Sequence, residues 1–240
     1  MAISETSFRD RQGKAISLKN ACSLFTVAFA PVDTSLSVVN FSLFITTVTA
    51  KNDAVETLVT SYTTNAANRV ALVGTIRTTL TQALGYLESN KAWKSSAATA
   101  RGIVEKFRGT KPPAPKSPPP APGETPAAAK KRNQGNQAYV ELASHFEQFI
   151  GVCSGAGGYL PPGTTITIAA MTTALNNLKA LNASLNTSEQ QISVAQKSRY
   201  DLYFTGDDCL QKKFQAIKKA VKGQYGLASQ EYQTVKVIKW

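Results

Sequence analysis

Thr34-Ser35-Leu36-Ser37-Val38-Val39-Asn40-Phe41-Ser42-Leu43-Phe44-Ile45-Thr46-Thr47-Val48 and, later in the chain, Thr164-Thr165-Ile166-Thr167-Ile168-Ala169-Ala170-Met171-Thr172-Thr173-Ala174-Leu175-Asn176-Asn177-Leu178 follow one pattern. Laid on each other at a shift of 130 positions, they open a register that continues without a gap to Leu87/Ile217. Its apolar pairs are Leu36/Ile166, Val38/Ile168, Phe41/Met171, Ile45/Leu175, Val48/Leu178, Val55/Leu185, Leu72/Leu202, Leu80/Leu210, Leu84/Phe214 and Leu87/Ile217. Asn52/Asn182, Thr57/Thr187, Arg69/Arg199 and Thr75/Thr205 are polar identities in the same register, and Pro31 and Pro161-Pro162 stand just before each start. Size class and breaker position kept over so long a run point to an internal duplication.

Within each copy the apolar residues recur at three- and four-residue spacing, the period of a helix that buries one face. A first helix is expected around Lys14 to Phe29, with Ile16, Ala21, Leu24, Phe25 and Val27 on its apolar face, and its counterpart runs from Gln137 to Cys153. A second helix follows from Ser35 or Thr165. Asn52-Asp53, and Asn182 with Asn186-Thr187-Ser188, offer short polar side chains of the kind that accept the free amides at a helix start. They predict a turn and a third, antiparallel helix over roughly 54–89 and 188–222. The alternation Thr165-Ile166-Thr167-Ile168 also suits a strand, but the helical period continues beyond it. The tails 99–107 and 229–240 fit short helices or strands.

Residues 110–134 hold eight prolines among Ala, Lys and Gly. Proline fixes its own torsion, removes an amide donor and drives the preceding residue out of the helical region, so an ordinary helix or central strand is excluded there. The expectation is therefore an all-α protein of two tandem antiparallel bundles, residues 1–109 and 135–240, joined by a solvated basic Pro/Ala-rich linker.

The closing segment from Tyr225 through Gly226, Ser229, Glu231, Tyr232, Val235, Ile238 and Lys239 to Trp240 follows a lysine-rich helix. It is similar to the end of uncharacterised helical proteins of Bacteroidetes-like bacteria, in which a G-x-x-S-x-E-Y-x-x-V-x-x-I-K pattern occupies this place. The resemblance covers the second copy only. It implies a helical fold and carries no activity or catalytic residues.

No secretory leader and no apolar run of the roughly 18 residues a spanning helix needs is read in the sequence, so a cytoplasmic protein without a membrane span is expected. The net charge is +12 and unevenly placed: residues 105–132 carry seven basic and two acidic residues, and residues 210–240 seven lysines against Glu231. Lys111, Lys116, Lys130, Lys131 and Arg132, with Lys212, Lys213, Lys218, Lys219 and Lys222, are the candidate polyanion contacts, which makes nucleic acid one partner class. The plain alternative is that this charge only solvates the linker and keeps the chain dispersed. Arg69 and Arg199 stand at equivalent points of the long helices, as interface contacts or as packed structural residues. Trp93 and Trp240 are candidate partner anchors, or caps on small clusters under the chain ends.

The inventory for catalysis is nearly empty. His145 is the single histidine, and Cys22, Cys153 and Cys209 are far apart without Cys-x-x-Cys spacing, so neither a nucleophile with its base nor a zinc set is suggested. Gly151 to Gly158 is glycine-rich, but it follows a helix, lacks a Lys-Ser/Thr ending and leads into prolines, so it reads as a helix stop and not a phosphate loop. Asp207-Asp208, placed mid-helix, would diverge by about 100° and suits no metal. No catalytic residue, cofactor, metal or small-molecule substrate is assigned. The expected function is a non-enzymatic, self-associating structural or scaffolding protein that binds copies of itself or another protein, with nucleic-acid binding as the alternative.

Overall fold

The structure, a computed structural model, describes residues 5–109 and 136–240. The expected linker, 110–134, lies outside them. Every regular element among the described residues is helical. The helices are α1 (Glu5–Ser23), α2 (Val38–Ser89), α3 (Lys94–Arg108), α4 (Asn136–Gly155), α5 (Ile168–Phe204), α6 (Leu210–Tyr225) and α7 (Gln230–Lys236), with 3-10 turns at Thr34–Leu36, Lys91–Trp93 and Thr164–Ile166. Both tails left open between helix and strand contain helix, in α3 and α7.

Some positions 130 apart in the sequence are placed alike in the structure. Two of the 3-10 turns, and the helix starts at Val38 and Ile168, fall 130 positions apart. Phe41 and Met171, Val48 and Leu178, Val55 and Leu185, Leu80 and Leu210, and Leu87 and Ile217 are buried in both members of each pair.

Several expectations are corrected. No turn forms at Asn52-Asp53: α2 runs through it for 52 residues. The side chains that were to cap a new helix are used sideways instead, Asn52 donating to Gln12 and Tyr203 while Asp53 pairs with Arg9. Likewise Asn182 and Asn186-Thr187-Ser188 lie inside α5, where Asn182 donates to the Tyr139 carbonyl. The expected helix over 188–222 does break, but at residues 205–209, between α5 and α6. Gly206 there takes φ +83°, a left-handed conformation that favours glycine, whereas the aligned residue of the first copy is Ile76, buried in unbroken α2. Asp207-Asp208 is consequently in a turn and not mid-helix. Finally, α1 spans 5–23 instead of 14–29, which leaves Leu24 and Val27 beyond its end and exposed.

The chain forms two compact units, and they divide it differently from the expected 1–109 and 135–240. The first unit joins residues 1–62 to 188–240, and the second is residues 63–187. The reason is visible in the cores. In the first unit Phe8, Leu18, Phe41, Ile45 and Val48 close on Tyr203, Leu210, Phe214, Ile217 and Val221. In the second, Ile76, Leu80, Leu87, Val104 and Phe107 close on Phe146, Phe149, Met171, Leu175 and Leu178. Each core therefore takes its apolar side chains from both sides of the proline-rich segment.

Polar contacts fix the chain crossings within each unit. In the first, Gln224 bonds the Ala28 carbonyl and the Ala30 amide, and the Tyr225 hydroxyl donates to the Val27 carbonyl. In the second, Trp93, Tyr86 and Tyr159 donate to the carbonyls of Gly157, Leu160 and Ile166. Cys22, Cys153 and Cys209 are buried free thiols, and burial pushes Cys22 up to about 12 and Cys153 to about 11.

Ile217→Ala is expected to cost about 2–5 kcal/mol, read from the urea midpoint, since a fully enclosed side chain leaves a void. A thiol reagent should label none of the three cysteines in the native protein and all three in denaturant; rapid native labelling would contradict these cores.

Candidate functional site

Among the described residues, an arginine is buried at equivalent points of the two long helices. Arg69 on α2 and Arg199 on α5 are both buried. In the second unit the Arg69 guanidinium carbon lies 3.7 Å from the centroid of the Tyr139 ring, and its Nη1 donates to Asn182 Oδ1 at 3.4 Å. Asn182 in turn donates to the Tyr139 carbonyl, so arginine, ring and amide are tied together at α4. In the first unit Arg199 lies 4.0 Å from the Phe8 ring centroid on α1. There Phe8 stacks edge-on to Tyr203, whose hydroxyl donates to the Phe8 carbonyl and accepts from Asn52. Burial favours guanidinium here because its flat, weakly hydrated face can rest on an aromatic ring. Through these contacts each arginine joins a long helix to the ring near the start of a first helix.

A groove of about 410 Å³ beside Arg199 is lined by Asn52, Val55, Glu56, Val59, Thr60 and Arg9. Arg9 spans Asp53 and Glu56 at its edge, and these bonds hold the exposed guanidinium above its ordinary range. Among the described residues no group of three or more His, Cys, Asp and Glu side chains is placed to hold a metal ion. His145 is half-buried on α4.

The ten candidate polyanion residues separate into three sets. Lys111, Lys116, Lys130, Lys131 and Arg132 lie outside the described residues. Lys212 and Lys213 bond Asp207 and Asp208, and Lys213 is buried with its ammonium 5.3 Å from the Phe44 ring centroid. Lys218 turns inward as well, donating to the carbonyls of Lys236 and Ile238 at the end of α7, and burial holds its pKa below the usual lysine range. Lys219 and Lys222 are exposed. Of the five lysines of this helix, Lys213 and Lys218 are thus turned toward the protein, and Lys212, Lys219 and Lys222 stay exposed.

Both tryptophans pack within their own units. Trp93 lies against Tyr86 and Tyr159, and Trp240 against Phe204 and Phe214 with Arg11 over its ring. The glycines after Gly151 end α4 and form the turn at Gly158, where φ is +81°.

What the sequence reading passed over is the absence of charge. Residues 20–50 contain Asp33 as their only ionisable acid or base of the Asp, Glu, Lys and Arg set, and residues 148–178 contain none, although 18% of the chain is charged. These stretches occupy equivalent places: the end of a first helix, the crossing and the start of a long helix. Each lies within one unit. The first exposes Leu24, Val27, Val32, Val39 and Leu43, with Val39 and Leu43 one turn apart on α2; the second exposes Leu160 among Thr, Gly, Pro and Asn. A charge map of the sequence alone would have found both.

Arg69→Met is expected to lower stability by about 1–3 kcal/mol through loss of the ring contact and of its bond to Asn182. Arg69→Lys should recover little, because an ammonium has no plane to stack; full recovery in urea unfolding would mean that charge alone matters. Comparison with family models, with curated proteins and with solved structures finds no match.

Proposed function

We propose that this is a non-enzymatic structural or assembly protein, a duplicated helical unit that associates with further copies of itself through the faces of residues 20–50 and 148–178, which carry no lysine or arginine and only Asp33 as a charge. The observation that carries this reading is the pairing of those two faces with a net charge of +12. Copies so charged repel one another over most of their surface. Where no lysine or arginine has to be stripped of water, apolar and hydroxyl side chains can meet at low cost, and the centres of protein interfaces are depleted of charge for this reason. Leu24, Val32, Val39 and Leu43 supply the apolar area. Two like faces in one chain allow each molecule to hold two neighbours, the requirement for growth beyond a pair. The inward-turned lysines and the packed tryptophans leave these faces as the better candidates for contact.

A second reading, polyanion binding, is favoured by a groove of about 670 Å³ in the second unit, where Lys91, Lys94 and Arg101 line the start of α3 and Glu88 pairs with Arg101. The two readings have opposite salt dependence. Screening weakens repulsion between like-charged copies and strengthens self-association, whereas counterion release makes polyanion binding fall steeply as salt rises.

Sedimentation velocity across a concentration series should show mass increasing with concentration and with salt. Val39→Lys combined with Leu43→Lys should shift the distribution toward monomer with helix content unchanged. A wild-type protein that stays monomeric at high concentration and high salt would refute the assembly reading. Binding to single- or double-stranded nucleic acid that weakens steeply with salt, and is lost on Lys91→Glu with Lys94→Glu, would establish the second.

A further inference from the structure

Every compact unit of this protein is a joint between residues that precede the proline-rich segment and residues that follow it. In the first unit α1 and the beginning of α2 meet the end of α5 with α6 and α7; in the second the end of α2 with α3 meets α4 and the beginning of α5. The joints are made by equivalent means. Arg199, after the segment, stacks on Phe8 before it; Arg69, before it, stacks on Tyr139 after it. Asn52 reaches across to Tyr203, and Asn182 reaches across to Arg69. Nothing covalent supports these joints, since the cysteines are unpaired, and the peptide connection between the two sides is a single passage through residues 110–135.

We propose that this joint is a recognition surface that acts between molecules: residues 136–240 of one copy seat on residues 5–109 of another, through the contacts that close each unit within a single chain. The occupant is a second copy of this protein. The inference rests on the duplication and self-association proposed above, and it names a second means of association distinct from the uncharged faces. A surface already complementary to one segment of the chain is complementary to the same segment of another copy, and the choice between them is set by effective concentration across the connection. At low concentration each chain closes on itself. At high concentration, or during folding of many copies together, exchanged pairs form with every core contact kept and no new interface required.

The full-length protein carrying a protease site after Gly123 provides the test. After complete cutting, the two pieces are expected to elute together, with helix content retained and an unfolding midpoint that now rises with protein concentration. Isotopically heavy and light cut protein, mixed, unfolded in urea and diluted together, should then return complexes pairing heavy with light pieces in the statistical proportion by native mass spectrometry. Pieces that separate without denaturant, or that re-form only aggregates, overturn the proposal. Carrying Val39→Lys and Leu43→Lys through the same experiment keeps the two ideas apart: those changes are expected to abolish growth of larger assemblies and to leave heavy/light pairing intact. Loss of pairing in that variant alone would show that the uncharged faces, not the joint, hold the pieces.

Discussion

A side chain buried on one stripe of a long helix has to be covered by some other segment, and here the cover comes from the far side of the chain. Phe41, Ile45 and Val48 are enclosed with Leu210, Phe214 and Ile217, and Met171, Leu175 and Leu178 with Leu80, Leu87 and Phe107. The 52-residue α2 and the 37-residue α5 are each longer than the single first helix on their own side of the chain, of 19 and 20 residues. Exchange of cover satisfies both. The paired arginines belong to this arrangement: each fastens a long helix to an aromatic ring contributed from across the proline-rich segment.

The helices were legible because they depend on period and on size class, which a sequence states directly. The positions of the breaks were not. Asn52, Asp53 and Asn182 have the chemistry of helix caps, and the same short polar groups serve as well in lateral bonds to Gln12, Tyr203, Arg9 and Tyr139. Which use prevails depends on a neighbour distant in sequence. Gly206 was the readable exception, since it stands where the first copy has Ile76. The sharing of cores was not legible either: a repeat register says which residues are alike and is silent on which of them touch.

For the surface, the lysine count misled through its position. Lys213 and Lys218 look solvated in a basic helix, yet one lies against Phe44 and the other donates to the carbonyls of Lys236, the last residue of α7, and Ile238 beyond it. Amphipathic stems allow this, because the chain of methylenes can be buried while the ammonium finds an acceptor. The uncharged stretches were the opposite case, fully present in the sequence and visible only as something missing.

The bracketing of one unit by the other has a consequence for biosynthesis. Residues 63–187 are contiguous and can close as soon as they have left the ribosome, but the unit made of 1–62 and 188–240 cannot. Phe8 waits for Tyr203, some two hundred residues later, and during translation α1 and the start of α2 carry an uncovered apolar face. Such long-range closure slows folding and leaves nascent chains exposed to one another.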